Sequence, residues 1–241
     1  MSEAHESALV HPPGGVAMQL RGERLDLLPQ RAVYWPRRRT LLVADPHFGK
    51  AGVFRRAGVA LPAGDTAEDL ERLTRIVSVT AAERLVVLGD FFHASPDADE
   101  PWLQAFLSWR GRHSALAVTV VAGNHDRNIR APVRGMALEW SMDPLHEPPF
   151  VLSHEPEADP RGYVLGGHLH PVMWLRGGGD SLRPPVFWLR RHALVLPAFG
   201  SFTGGQAIAL SADEGVFIAG ADVVIPAGEV ARVSAGRNDV G

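Results

Sequence analysis

The amino-acid sequence predicts an α/β fold, and two patterns lead to that prediction. Short apolar runs bounded by turn residues recur along the first two thirds of the chain, as is typical of buried strands. Amphipathic segments long enough to form helices alternate with the first of these runs. This alternation of strands and helices is typical of a sheet whose faces are covered by helices.

The predicted strands are Thr40–Ala44, Arg84–Leu88, Leu116–Val121, Phe150–Leu152 and Tyr163–Leu165. One helix should begin at Asp65 or Thr66, either of which can cap it, and a second should span Pro101–Arg112. After Pro171 the pattern changes to strand-like segments broken by Gly, Pro or polar pairs: VFWLRRHALVL, QAIALSA and GVFIAG. These segments favour antiparallel hairpins that add to a second sheet.

Length and composition predict one catalytic domain. The chain has 241 residues, 46% of them hydrophobic, which is enough to bury a single core over residues 16–241. We expect residues 1–15, which show no hydrophobic periodicity, to form a loose N-terminal tail. The opening lacks the order of a secretory signal and no apolar run is long enough for a bilayer, so we expect a cytoplasmic protein without a membrane partner.

Charge and cysteine content restrict the chemistry. The formal net charge of -3 does not favour a chain that binds nucleic acid through overall basicity. Because the chain contains no cysteine, disulfides, zinc–thiolate sites and a cysteine nucleophile are excluded. Any metal site must therefore use oxygen and imidazole ligands.

Five short motifs follow predicted strands: Asp45-Pro-His47, Gly89-Asp90, Gly123-Asn-His-Asp126, Ser153-His154 and Gly167-His-Leu-His170. Strand ends are where open α/β sheets collect ligands. A single histidine after a strand is more often a structural polar residue than a ligand. Seven such side chains at one edge are harder to explain structurally, because each unsatisfied buried polar group costs about 1–3 kcal/mol. The motifs together predict a metal site.

The ordered motifs resemble those of the calcineurin-like metallophosphoesterase superfamily: D-x-H, GD, GNH[DE], a later H, and GH-x-H. The resemblance covers residues 45–170 and implies an αββα sandwich of two sheets that carries a two-metal centre for phosphate ester hydrolysis. By matching position, it implies two ligand sets and one bridge: Asp45, His47 and His170 on one cation, Asn124, His154 and His168 on the other, and Asp90 between them. A bridging carboxylate can screen two cations about 3.5–4 Å apart.

The resemblance also implies roles in catalysis. A hydroxide shared by the two cations would attack phosphorus in line, and His125 would stabilise or protonate the leaving group, although it could instead only support the ligands. We expect Asp126 to orient His125. After Gly89-Asp90 the sequence continues with FFH and lacks the Asp-Arg-Gly of the protein serine/threonine phosphatases. His93 in this stretch could contact the substrate or support the ligands, and neither role is favoured. Oxygen and imidazole ligands suit manganese, iron or zinc, and the resemblance favours manganese.

Several longer stretches resemble a narrower bacterial branch, the ligase-associated DNA damage response phosphoesterases (PdeM-like): TLLVADPHFGKAGVFRRAG, VVAGNHDR, LSHEP, GGHLHP and LPAFGSFTGG. This second resemblance extends over most of residues 31–205. It implies a phosphodiesterase or endonuclease with a role near DNA repair. It also implies a functional association with an ATP-dependent DNA ligase and a helicase.

Cationic side chains near the motifs agree with a DNA substrate. The first ligand loop is followed by Lys50, Arg55 and Arg56, and GNHD is followed by Arg127 and Arg130; these cations could bind phosphates. A solvated charged face is the alternative, and for the pair Arg55–Arg56 it is equally favoured.

Other functions use similar metal motifs. The alternatives are a small-molecule phosphomonoesterase, a cyclic-nucleotide phosphodiesterase and a lipid-precursor pyrophosphatase, because fold and metals do not select among substrates. A metal-binding interaction scaffold is an alternative of another class, and the complete ligand set argues against it.

Overall fold

Two seven-stranded sheets packed face to face form the molecule, which confirms the predicted two-sheet α/β sandwich. The computed structural model describes residues 12–50, 52, 58, 65–95, 100–129, 135–177 and 179–228. Neither α-helix in these ranges has the length and apolar character needed to cross a bilayer.

The first sheet contains, in spatial order, β1 (Val16–Leu20), β2 (Glu23–Leu28), β3 (Ala32–Trp35), β4 (Thr40–Ala44), β5 (Arg84–Leu88), β6 (Ala117–Val121) and β7 (Glu139–Ser141). Strands β1 to β4 pair antiparallel, whereas β4 to β7 pair parallel. Since parallel strands end at the same edge, the loops after β4, β5 and β6 lie side by side.

Two helices, α1 (Asp65–Thr80) and α2 (Pro101–Arg112), cover the outer face of the first sheet. Leu70 and Leu73 of α1 and Phe106 of α2 are buried there with alternate residues of the strands, such as Val43 and Val87. The spacing of three to four residues puts these apolar side chains on one face of each helix. Each buried side chain of this size stabilises the fold by about 1.5–3 kcal/mol.

The second sheet contains, in spatial order, β18 (Val224–Pro226), β17 (Gly215–Ala219), β14 (Val186–Leu189), β15 (Ala193–Val195), β10 (Tyr163–Gly166), β9 (Phe150–Leu152) and β8 (Leu145–Glu147). Strands β9, β10 and β15 are parallel, and the other neighbouring pairs are antiparallel. The predicted hairpin of VFWLRRHALVL is present as β14 and β15, and GVFIAG contains β17.

The inner faces of the two sheets share one apolar core. Leu42 and Leu88 of the first sheet and Leu152, Leu165 and Leu194 of the second are fully buried in it. The other side chains of the same strands point away from this core because strand residues alternate between faces.

The two sheets also meet at the edge where β4 ends. Ala44 bridges to Ala198, and the backbone N–H of Phe199 donates to the Ala44 carbonyl at 2.7 Å. The loops after β4 to β6 therefore face those after β9 and β10.

The structure differs from the sequence prediction in the segment QAIALSA. Only β16 (Gln206–Ala207) forms there, and it pairs in parallel with β11 (Pro171–Val172), apart from both large sheets. Both residues of β16 are exposed, so no buried face holds the rest of the segment in a sheet. A separate hairpin consists of β12 (Leu175–Gly177) and β13 (Asp180–Leu182).

The N-terminal region contains elements that the sequence patterns did not predict, since β1 to β3 occupy residues 16–35. Residues 1–11 of the predicted tail lie outside the described residues. Gly14, within the predicted tail, accepts a hydrogen bond from the backbone of Val224 at 2.8 Å.

Candidate metal centre

All seven predicted ligands lie on loops at the common edge of the two sheets. The first sheet supplies four of them from the ends of β4, β5 and β6: Asp45, His47, Asp90 and Asn124. The second sheet supplies three from the ends of β9 and β10: His154, His168 and His170.

Asp45, His47 and His170, the first predicted set, form one compact group, with one donor atom from each within 4.8 Å of the others. The Nε2 atoms of His47 and His170 are 3.4 Å apart, and Asp45 Oδ2 is 3.6 Å from His170 Nε2. Burial and, to a smaller extent, the neighbouring His170 together lower the pKa of His47 to about 2. His47 is therefore neutral near pH 7, which is the state that binds a metal.

Asn124, His154 and His168, the second predicted set, also converge. His154 Nε2 lies 2.9 Å from Asn124 Oδ1 and 2.9 Å from His168 Nδ1. On its other side, His154 Nδ1 lies 3.2 Å from the carbonyl oxygen of Leu88. Because that oxygen can only accept, Nδ1 is the donor of this contact, which leaves Nε2 as the ring nitrogen that faces the centre.

Asp90 lies between the two groups. Its Oδ1 is 3.6 Å from His154 Nε2, and its Oδ2 is 3.7 Å from His47 Nε2. The carboxylate is 3% exposed, and its Oδ1 accepts a hydrogen bond from the backbone N–H of His125 at 3.0 Å. Each carboxylate oxygen thus faces an imidazole from a different predicted set.

The spacing of these atoms fits metal ions. Two ligands that are each about 2.0–2.1 Å from one cation lie roughly 2.8–3.6 Å apart when the angle between them is about 90–120°. The separations within the two sets run from 2.9 to 3.6 Å. Moreover, Asp45 Oδ1 is buried without a hydrogen-bond partner among the described residues, a state that costs free energy unless another group binds there.

The backbone conformation of several predicted ligands is also unusual. Five predicted ligands have positive φ angles, between 43° and 69°: Asp45, His47, Asp90, His168 and His170. Non-glycine residues rarely adopt this conformation, and the cost is of order 1–3 kcal/mol each. Such conformations persist where the surrounding structure holds them, and they are concentrated at functional sites.

Two motif glycines permit the close packing of these side chains. A Cβ atom on Gly89 would lie 2.0 Å from His154 Nδ1, and one on Gly167 would lie 2.5 Å from Asp45 Oδ2. Both distances are far below van der Waals contact. At both positions a ligand side chain occupies the space that a Cβ atom would need. Glycine is therefore required before Asp90 and before His168.

His125 stands at the mouth of the centre. Its side chain is 38% exposed, and its Nε2 lies 4.0 Å from Asp90 Oδ2. The ring stacks on His93 with a centroid distance of 5.5 Å and an interplanar angle of 26°. Burial lowers the pKa of His93, and the nearby charges of Lys50 and His125 lower it further. The structure thus brings both predicted histidines to the metal centre.

Asp126 does not take the expected position beside the His125 ring. Its carboxylate is 3% exposed and accepts backbone hydrogen bonds from Gly123 at 2.9 Å, Phe91 at 3.1 Å and Phe92 at 3.0 Å. Burial raises its pKa, and these hydrogen bonds act in the opposite direction. Asp126 therefore ties the loop of Asp90 to the loop of Asn124 instead of orienting His125.

The predicted substrate-binding arginines are only partly described. Arg127 is exposed, and its Nη2 lies 4.0 Å from a carboxylate oxygen of Glu155. Arg55, Arg56 and Arg130 lie outside the described residues. Lys50, the cation expected after the first ligand loop, is half-buried. Burial lowers its pKa, and the charge of Asp90 acts in the opposite direction.

Comparison with known proteins agrees with this geometry. Residues 38–191 match the sequence model of the calcineurin-like phosphoesterase family. The crystal structure of Pseudomonas putida nuclease MPE shares 39% sequence identity with this chain, covers 88% of it and 99% of its own length, and superposes with a TM-score of 0.78.

A protein of unknown function from Aquifex aeolicus, AQ665, shares 17% identity, covers 80% of this chain and 98% of its own, and has a TM-score of 0.39. No curated protein matches the chain. Because the family match spans more than half of the sequence, this protein belongs to the calcineurin-like phosphoesterase family and is a metal-dependent phosphoesterase.

Proposed function

We propose that this protein is a two-metal phosphodiesterase that cleaves DNA as an endonuclease. The main support is its similarity, at 39% identity over 88% of the chain, to a protein that is a nuclease. A phosphodiester group in a polynucleotide chain needs an open site, and the candidate centre is open at its rim, where Asn124, His125 and His168 are exposed.

The proposed ligand assignment follows the two compact groups. Asp45, His47 and His170 would hold one divalent cation, and Asn124, His154 and His168 would hold the other, with Asp90 between the two groups. The distances above support this division. We propose manganese for both positions, with iron or zinc as substitutes, since the ligands are oxygen and imidazole. When bound, two such cations activate a water molecule as the nucleophile and offset charge on the phosphoryl oxygens.

His125 is the proposed general acid. It is the more exposed of the two histidines that stack at the mouth of the centre, so its ring can reach a leaving oxygen that points outward. Its backbone N–H is fixed by Asp90, and its ring is restricted by His93. Both contacts keep the imidazole aimed at the substrate side, which reduces the conformational cost of proton transfer.

Asp126 is a positioning residue in this proposal. Its three backbone hydrogen bonds hold the turn of Asn124 and His125 against the loop of Asp90. The relative position of the bridging carboxylate and the proposed acid thus depends on one buried carboxylate.

A role in DNA repair, beside an ATP-dependent DNA ligase and a helicase, is the finer part of the proposal. It is supported by the sequence resemblance to the ligase-associated phosphoesterases. A strain that lacks the gene should be more sensitive to DNA-damaging agents, and Asp90→Asn expressed from a plasmid should not restore resistance. Full resistance of the deletion strain would contradict the repair role without affecting the enzymatic one.

The decisive experiment is a parallel assay of manganese-reconstituted protein. Its substrates are single-stranded DNA, duplex DNA, bis(p-nitrophenyl) phosphate and p-nitrophenyl phosphate. We expect cleavage of DNA and of the small diester to exceed hydrolysis of the monoester. Robust monoester turnover without cleavage of either DNA would overturn the proposal and leave a small-molecule phosphatase.

A further inference from the structure

A second cationic site lies beside the metal centre. A cavity of about 210 Å³ is lined by His170, a candidate metal ligand, together with Arg31 and Arg183. Ser201 and Thr203 also line it, and none of the described lining residues carries a carboxylate. The cavity therefore combines two positive charges with hydroxyl groups and opens next to the place where a phosphate ester would be hydrolysed.

Arg31 is held in the cavity without direct contact to a carboxylate of the described residues. It is half-buried in the turn between β2 and β3, and its Nη1 lies 3.5 Å from the carbonyl of Ala198 and 3.4 Å from that of Gly200. In the described part of the chain, no carboxylate lies within 4.0 Å of its guanidinium. A partly desolvated guanidinium with only two long hydrogen bonds to carbonyls retains donors for an anion.

Arg183 reaches the same cavity from the other side. Its Nη2 donates to the carbonyl of Gly205 at 2.7 Å, and the neighbouring carbonyl of Gly204 lies 3.2 Å from Nδ1 of His170. Two adjacent carbonyls thus fix an arginine and a candidate metal ligand next to each other. Among the described residues, Arg183 likewise has no carboxylate within 4.0 Å.

The wall between the two arginines is held rigidly. Buried Asp69 of α1 accepts hydrogen bonds from the Ser201 backbone at 3.1 Å and from its hydroxyl at 2.5 Å. Arg72 donates to the carbonyl of Phe199 and pairs with Asp69 at 2.9 Å. Arg72 is therefore the direct ion-pair partner of Asp69, and Asp69 acts on Arg31 only through its charge at longer range.

An exposed aromatic ring continues the cationic surface. Trp174 is 46% exposed, and the guanidinium carbon of Arg183 lies 5.0 Å from its ring centroid. Arg176, on the adjacent hairpin, lies 5.5 Å from the same centroid. Exposed aromatic rings beside arginines are how proteins stack the bases of single-stranded nucleic acids while binding the backbone.

We propose that Arg31 and Arg183 form a subsite for the phosphate adjacent to the scissile one in a single-stranded polynucleotide, with Trp174 stacking on a base beyond it. The inference rests on the proposed nuclease function and names the part of the substrate that the cavity binds. It assigns selectivity for nucleic acid chains to residues that flank the β12–β13 hairpin and to the β2–β3 turn. The metal centre alone would accept any small diester.

Three short substrates test the subsite. A thymidine dinucleotide contains only the scissile phosphate, whereas a trinucleotide adds one flanking phosphate. The third substrate is a trinucleotide in which one phosphate is a neutral methylphosphonate. We expect wild-type protein loaded with manganese to have a higher kcat/KM for the trinucleotide than for the other two, because a charge-assisted hydrogen bond favours the charged neighbour.

The variants Arg31→Gln and Arg183→Gln should each reduce the trinucleotide-to-dinucleotide ratio of kcat/KM by about tenfold, the loss expected for one such contact. Each should also flatten the log–log salt dependence of binding to longer single strands by about 0.7. Trp174→Ala should weaken that binding by about tenfold. Arg190→Gln is the matched control, since Arg190 also lies over a tryptophan ring, at 4.6 Å, but in the turn between β14 and β15 and outside the lining of the cavity.

The outcomes separate the two proposals. If wild-type protein cleaves the trinucleotide and both arginine variants keep the wild-type ratio, the subsite is wrong and the nuclease function stands. If wild-type protein cleaves no oligonucleotide, the nuclease function fails and the subsite fails with it. Should Arg31→Gln lower the melting temperature, Arg183→Gln decides the result alone, because its side chain is on the surface.

Discussion

The two sheets contribute different groups to the same metal centre. The first sheet provides both carboxylates, Asp45 and Asp90, which are 0% and 3% exposed. The second sheet provides only imidazoles, of which His168 is exposed and His170 is 20% exposed in its side chain. Negative charge is thus placed deepest, where it is most costly without a cation, and the more exposed imidazoles lie at the rim.

The two kinds of ligand therefore contribute differently: the carboxylates mainly raise the affinity for the cations, and the imidazoles mainly set the coordination geometry. Buried carboxylates gain most from binding a cation, since their charge is poorly solvated without one. Imidazoles are neutral, so they add ligand bonds and direction without adding charge. Backbone contacts across the sheets connect the two parts: the N–H of His168 in the second sheet donates to Asp45 Oδ2 at 2.8 Å.

The largest effect should follow from Asp90→Asn, which removes the charge between the two ligand sets. We expect hydrolysis of bis(p-nitrophenyl) phosphate to fall by more than about 10³-fold and metal content to drop, because a neutral amide cannot bridge two dications as a carboxylate does. Asp26→Asn is the control, since Asp26 is also a fully buried carboxylate of the first sheet but lies on β2. Near-normal activity with two bound metals would rule out the bridging role.

A smaller loss is expected for His125→Ala, which tests whether a first-sheet residue beside the carboxylates acts on substrate without binding metal. Metal content should stay at the wild-type value while turnover of a diester with an alkoxide leaving group falls by about 10²–10³-fold. A p-nitrophenolate leaving group needs little protonation, so its turnover should fall less. Equal losses for the two leaving groups would contradict the role as general acid, and loss of metal would make His125 a ligand, as its distance to Asp90 allows.

Much of the centre follows from local sequence, for a physical reason. Strands such as Phe150–Leu152 are apolar runs that end at polar residues, and parallel strands bring their ends to one edge whatever the details of packing. The motifs that follow the strands therefore identify which side chains meet. The division into two cation sets, by contrast, came from family resemblance, and its matching distances appear only in the folded chain.

The roles that were not predicted depend on contacts across the fold. Asp126 is adjacent to His125 in sequence, but the turn after Gly123 directs its carboxylate to the backbone of Phe91 and Phe92. Arg31 and Arg183 are far apart in sequence and share a cavity because the β2–β3 turn and the segment after β13 both approach the Ala198 region. Composition and periodicity carry no information about such approaches.

The connection between the sheets can be tested with Gly167→Ala. A methyl group there would lie 2.5 Å from Asp45 Oδ2, so either the first-sheet carboxylate or the second-sheet loop must move. We expect roughly a 10²-fold loss of activity, because a displacement of about 1 Å is enough for that. The variant should also be less stable by about 1–3 kcal/mol, measured by urea unfolding.

Gly111→Ala is the matched control for that substitution. Gly111 lies in α2, and a Cβ atom there would meet nothing within 4 Å. Replacement should keep full activity and stabilise the protein by about 0.4–1 kcal/mol, since alanine favours a helix. If Gly167→Ala were as active and as stable as Gly111→Ala, the close approach of the two sheets at Asp45 would not matter for catalysis.

The smallest effect is expected for Arg127→Ala, which tests whether the first sheet also contributes to binding DNA. Its guanidinium is exposed and lies 4.0 Å from Glu155, a surface pair worth no more than about 1 kcal/mol. We expect DNA cleavage at low salt to fall about two- to fivefold and the log–log salt slope to flatten by about 0.7–0.9, depending on strandedness. Glu155→Gln should act in the opposite direction and strengthen binding slightly, because it frees the arginine for phosphate. If the salt slope were unchanged for Arg127→Ala, Arg127 would not bind DNA phosphates. Among the described residues, DNA binding would then be assigned to the arginines around Trp174.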